Sequence, residues 1–265
     1  MPKQIGIQLE DGLLANLASP ARPLVPLKTV VIVAHPAEET LSCGALLPRL
    51  TDLTIVHVTD GAPRAPADAR RRGFGHWAEY ARARRRELER AATIAGVPTP
   101  SLKSLGLPDQ GAALRLATLT RAVLGFIAGA DLVLTHAFEG RHPDIDAVAF
   151  AVASARGRMR GRRPAAIEMP LYRQEQSGNG LARLRLTPEE RARKARMLAE
   201  FVTQQETLLA FGVRDEFYRI APERDFTQPP EEVQYNRIDC GMTGGRFAQL
   251  ARAARGELGL DTARA

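Results

Sequence analysis

Apolar positions fall along the chain in two recurring forms. The first is a short continuous run rich in β-branched residues. Thr29 to Ala34 (TVVIVA), Leu53 to Val58 (LTIVHV) and Asp131 to Thr135 (DLVLT) read as strands buried on both faces of a parallel sheet. Ser101 to Leu105 and Ala165 to Met169 are shorter candidates of the same kind. The second form is helical: Trp77 to Ala95 with Gly96 placed to close it, Ala112 to Ala128, Ala147 to Arg156 before Gly157, and Pro188 to Ala210. Between them HPAEETLSCG, TDGAP, GLPDQG and HAFEGRHPDID read as loops or turns. Strands alternating with helices predict a mostly parallel, doubly wound α/β sheet with right-handed crossovers.

Length and composition narrow this little but exclude much. A chain of 265 residues with 45% apolar and 25% charged positions suits one large globular domain, which rules out disordered and collagenous classes. Pro23, Pro26 and Lys28 interrupt the apolar stretch ahead of Thr29, so no run reaches the ~20 residues that span a bilayer. Lys3, Glu10 and Asp11 break the order of a secretory signal, and the chain is expected to be cytosolic. Cys43 and Cys240 are too few for a disulfide framework, and Cys43 reads as a small packing residue. The net charge of +7 raises the question of a nucleic-acid partner. Acidic residues interleave two of the three arginine clusters, and aromatics are only 5%, so no stacking platform exists and none is expected. The last ~20 residues, rich in Ala, Arg and Gly, are expected to pack weakly.

In a doubly wound sheet, ligands bind outside the carboxyl ends of the strands. Every loop rich in His, Asp and Glu follows a predicted strand: His35 to Glu39, Asp60, Asp109, and Glu139 to Asp146. His35, Asp60, Asp109 and His142 are therefore expected to open onto one cleft. Imidazoles and carboxylates together bind zinc or work as acid and base. The same residues also suit two tight turns, His35-Pro36 and His142-Pro143, with the rings bonded to backbone. No GxSxG, Walker or CxxC motif occurs, and Gly44 lacks the GxGxxG spacing of a dinucleotide site.

These residues resemble a known family. VVIVAHPAEETLSCGALL resembles the first signature of the PIG-L/LmbE-type N-deacetylases, AHPDDExxxxGG, and FEGRHPDIDAVAFAV resembles the second, EGGHPDHDAVAFA. VTDGAP, ARRRELERAATIAGV, SLGLPDQG, EMPLYR and LTPEERARKARMLAEFVTQQETLLAF extend the likeness from about Thr29 to Pro230. The resemblance implies a Rossmann-like three-layer sandwich over residues 29–230, flanked by extensions at 1–28 and 231–265. It also implies a small polar N-acylated, sugar-like substrate and a zinc or other divalent ion. His35 and Glu38 match two of its ligands and His142 the histidine that stabilises the oxyanion or protonates the amine. Asp144 supports His142, and Arg84, Asp109 and Glu139 are the substrate-contact candidates.

Three positions depart from the pattern. Glu38 replaces an aspartate ligand, Ala37 the general base and Ile145 the third ligand. A catalytic zinc normally has three protein ligands plus water, so two are expected to hold little or no metal. Asp146, Asp144, His136, Glu39 and His57 are the available substitutes, of which Asp146 is nearest; it also reads as a cap for the helix that follows, and Glu39 as an acceptor for backbone N–H groups. The alternatives are an N-deacetylase with reduced or abolished activity, a metal-free binding or regulatory protein on the same fold, and a metal-free enzyme using His142.

Overall fold

All five runs read as strands form strands. In a computed structural model that describes residues 12–19, 26–172, 180–230, 232–238 and 240–261, β1 (Lys28–Val33), β2 (Asp52–Thr59), β3 (Leu102–Leu107), β4 (Leu132–His136) and β5 (Ala165–Met169) run parallel in the order β3-β2-β1-β4-β5. The β-branched runs suit this position because side chains alternate across the sheet. Val30 and Ile32 enter one apolar cluster and Val31 and Val33 the other.

Helices cover both faces, completing the three layers. On one side lie α1 (Glu38–Cys43), α3 (Trp77–Ile94) and α6 (Pro188–Ala199), which bury Cys43, Leu88, Ala91 and Met197. On the other lie α4 (Leu116–Ile127), α5 (Pro143–Arg158) and α8 (Gly244–Glu257), which bury Val123, Val148, Phe150 and Phe247. The short α2 (Pro66–Arg71) precedes α3, and α7 (Gln205–Leu208) follows α6. Among the described residues no helix is long and apolar enough to cross a membrane.

Several expectations need correction. The HPAEETLSCG segment is not all loop, since α1 occupies its second half. α5 starts at Pro143, earlier than expected, because His142 caps it and proline suits its first position; Gly157 does not stop it. The helix expected to reach Ala210 breaks after Ala199. Phe201 turns fully into the core, and the Glu87 carboxylate on α3 accepts the Thr203 N–H at 2.9 Å and its hydroxyl at 2.7 Å. Two strands absent from the sequence reading, β6 (Ala182–Arg185) and β7 (Asp215–Ile220), extend the β5 edge antiparallel. The tail does not pack weakly: Phe247, Ala251, Ala254 and Leu258, spaced three to four apart, bury one face of α8 and its end.

Candidate active site

Strand order reverses at β1 and β4, which neighbour each other although their connections run outward to β2 and β5. Ligands in open α/β sheets bind at such a switch point. His35 leaves β1 there, and the HAFEGRHPDID segment leaves β4.

The first loop is held by carboxylates at the start of α1. The Glu38 carboxylate accepts the His35 backbone N–H at 2.7 Å and its Nδ1–H at 2.8 Å, and lies 2.9 Å from His136 Nε2. Glu39 accepts the Ala37 N–H at 3.0 Å and the Thr40 hydroxyl at 2.7 Å, and lies 2.9 Å from His57 Nε2. Strand register explains the arrangement: His57 pairs with Val33 on one side, and Thr135 with Ile32 on the other, so His136 also lies beside Val33. Two buried imidazoles thus clamp the first turn of α1. Ala37 itself has a φ of 95°, a left-handed conformation that a Cβ disfavours.

The other nitrogen of the His35 ring faces acids as well. Nε2 lies 3.0 Å from Asp109 Oδ1 and 3.4 Å from Asp144 Oδ2. Burial alone would lower the His35 pKa, but Glu38 and Asp109 outweigh it and raise it well above the ordinary value. Burial would likewise raise Glu38 and Asp109, yet His35 beside both, with His136 beside Glu38, holds them below the usual carboxylate range. His142 stands edge-on to His35, ring centroids 4.6 Å apart. Its Nδ1 accepts the Asp144 N–H at 3.1 Å, capping α5, while burial and the neighbouring His35 charge lower its pKa. A neutral ring that accepts at Nδ1 carries its proton on Nε2, which lies 3.9 Å from Asp109.

The remaining candidates divide between lining and scaffold. Asp144 is fully buried and accepts the Gln110 and Ala112 N–H groups at 2.6 and 2.9 Å, fixing the Asp109 loop. Arg84 donates to the Pro36 carbonyl at 2.7 Å and to the Gly61 carbonyl. Gly61 must be glycine there: its φ is +65° and a Cβ would fall 2.2 Å from the Arg84 guanidinium. The Glu139 carboxylate accepts the Leu171 and Tyr172 N–H groups at 3.0 and 3.1 Å.

Asp146 does not replace the missing ligand. It accepts the Glu139 and Gly140 N–H groups, both at 2.8 Å, and the Tyr235 hydroxyl at 2.5 Å, and burial raises its pKa to about 7. Asp60 also departs from expectation: it pairs with Arg64 at 2.7 Å and does not line the cleft. His35, Glu38, Arg84, Asp109 and His142 do line one cavity of about 190 Å³, with Leu171, Tyr172, Leu208 and Phe211 among the residues of its wall.

The ligand set that the resemblance implies is incomplete at its third position. Ile145, at the third ligand position, is 1% exposed within the core. His35, Asp109 and His142 bring ligand atoms within 4.8 Å of one another, a different triad. Both ring nitrogens of His35 are already engaged by carboxylates, however, and His142 could offer Nε2 as a ligand only by giving up its cap on α5.

A mostly parallel sheet flanked by helices, with histidines and carboxylates gathered at its switch point, defines an α/β protein with one candidate site at the carboxyl edge of its sheet. The family model described as PIG-L, GlcNAc-PI de-N-acetylase, matches residues 30–156. Solved structures share its fold. The A40926 pseudoaglycone deacetylase Dbv21 is 21% identical with a TM-score of 0.59, over 74% of this chain and 97% of its own. The N,N'-diacetylchitobiose deacetylase of Pyrococcus horikoshii is 15% identical with a TM-score of 0.52, over 82% and 92%. GalB, a 4-carboxy-2-hydroxymuconate hydratase of Pseudomonas putida, is 18% identical with a TM-score of 0.51, over 78% and 100%. Comparison with curated proteins gives no match. At these identities the likeness establishes the fold, which carries more than one chemistry.

Proposed function

We propose that the chain retains the substrate recognition of a PIG-L-type N-deacetylase and has lost most or all of the amide hydrolysis. It binds a small polar N-acylated, sugar-like molecule, in the cytosol and without a nucleic-acid or membrane partner. One observation carries this reading: His35 is engaged by carboxylates through both ring nitrogens, while the third ligand position lies in the core. Ala37 cannot take a proton from water, and a positioned general base is worth roughly 10²- to 10⁴-fold in rate. What remains suits recognition. Asp109 and Arg84 face the cleft as hydroxyl partners, and the Nε2–H of His142 is a donor for an acyl oxygen.

A second reading, slow hydrolysis at the same site, is favoured by His142 alone, since a neutral donor is what a developing oxyanion needs. Calorimetric titration with N-acetylglucosamine, with acetate release followed with and without added zinc, separates the two. Saturable binding with acetate at background in both conditions is the expected result. Zinc-dependent release would establish the second reading, and absence of both binding and release would overturn both.

A further inference from the structure

The cleft has two unlike sides, and they come from different parts of the chain. Its polar floor lies within residues 30–156, the span that matches the family. Its wall lies beyond that span and owes its position to the helix break after Ala199. That break starts a new helical stretch over Val202–Leu208, from which Gln204, Thr207 and Leu208 line the cleft, and Phe211 lines it from the turn that follows. Tyr172 meets Phe211 edge-on at 5.4 Å and remains 41% exposed. The Leu171 and Tyr172 amides are both held by Glu139, and the Thr203 amide by Glu87. Leu171, Tyr172, Leu208 and Phe211 thus form a preformed apolar surface continuous with the polar floor, at which an apolar group would be desolvated without reordering the chain.

We infer that the cleft selects N-acyl groups longer than acetyl, with the acyl chain lying along Tyr172 and Phe211. The inference rests on the reading that an N-acylated molecule binds here. In such a molecule hydroxyls belong with Asp109 and Arg84 on the floor, and the acyl group is the apolar portion left for the wall. An acetyl group is too short to cover two aromatic rings, whereas each further methylene buried against them strengthens binding by up to about fourfold.

Calorimetry of the full chain with N-acetyl-, N-butyryl- and N-hexanoylglucosamine tests this, with acyl release measured in parallel. The hexanoyl compound is expected to bind roughly tenfold or more tightly than the acetyl compound. Phe211→Ser and the milder Tyr172→Gln, at a half-exposed position, should each flatten the dependence on chain length. Binding of all three compounds with equal affinity overturns the inference and spares the functional reading. An unchanged dependence in folded Tyr172→Gln also overturns it. Failure of every compound to bind overturns both.

Discussion

At the loop after β1, alanine stands where the family pattern has aspartate, yet the two acids that follow it are both held: Glu38 by His35 and His136, and Glu39 by His57. In the first turn of α5, after the β4 loop, isoleucine stands where the pattern has histidine, and it lies in the apolar core. The first substitution removes a functional group from an intact scaffold. The second converts a ligand position into packing. Ala37 borders the cleft, where a larger side chain could enter, whereas reversing the second asks for space within the core.

The comparison can be broken most severely at Glu38. Glu38→Ala removes one partner each from buried His35 and His136 and should cost ~3–5 kcal/mol in chemical denaturation. Asp144→Ala, its counterpart in the second loop, unpairs the Gln110 and Ala112 amides and should cost ~2–4 kcal/mol. Equal tolerance of both variants would show that neither loop depends on its acid. The pH profile carries the same dependence. His35, raised in the fold, contributes stability that is complete below its unfolded value of ~6.5 and is lost as pH rises toward the folded value. Glu38 and Asp109, lowered in the fold, contribute stability present above ~4 and lost as pH falls. The unfolding midpoint should therefore be highest near pH ~5–6, and Glu38→Ala should flatten both limbs.

Ile145→His comes next. A polar ring in place of a core side chain should cost ~2–4 kcal/mol, and added zinc should recover less than that. Full recovery in a zinc titration of the melting point would mean that the second loop can re-form a ligand. The smallest effect is at Ala37. Ala37→Gly relieves the left-handed strain of ~1–2 kcal/mol but frees the unfolded chain, for a net gain of ~0.5–1 kcal/mol. A loss of stability instead would mean that the methyl group packs usefully.

The parallel half of the fold was legible because TVVIVA, LTIVHV and DLVLT can be buried on both sides in few other ways. Their carboxyl ends then located His35, Asp109 and His142 in one cleft. β6 and β7 were not legible, since ARLR and DEFYRI alternate charge with apolar residues over too few positions to outweigh a loop reading. Nor was the break in the expected long helix, which has no Gly or Pro and depends on Glu87, more than a hundred residues away, capturing Thr203. The allocation of acids was hidden for a similar reason. Whether Asp144, Asp146 or Glu139 faces a ligand or a backbone amide depends on which loop lies opposite, and the sequence does not state that. His57 and His136 were visible as strand-end histidines, but their common role depends on β1 lying between them.

The hydrogen bond between Tyr235 and Asp146 has a consequence for where this protein can be cut. A truncation after Pro230, where the motif resemblance is expected to end, looks like trimming an appendage. It would instead withdraw a donor from a buried acid and lift Phe247 off Phe138, a residue of the second loop, leaving a fragment with an open hydrophobic seam beside its own binding site. The chain after Pro230 is thus one side of the core, and the domain includes it.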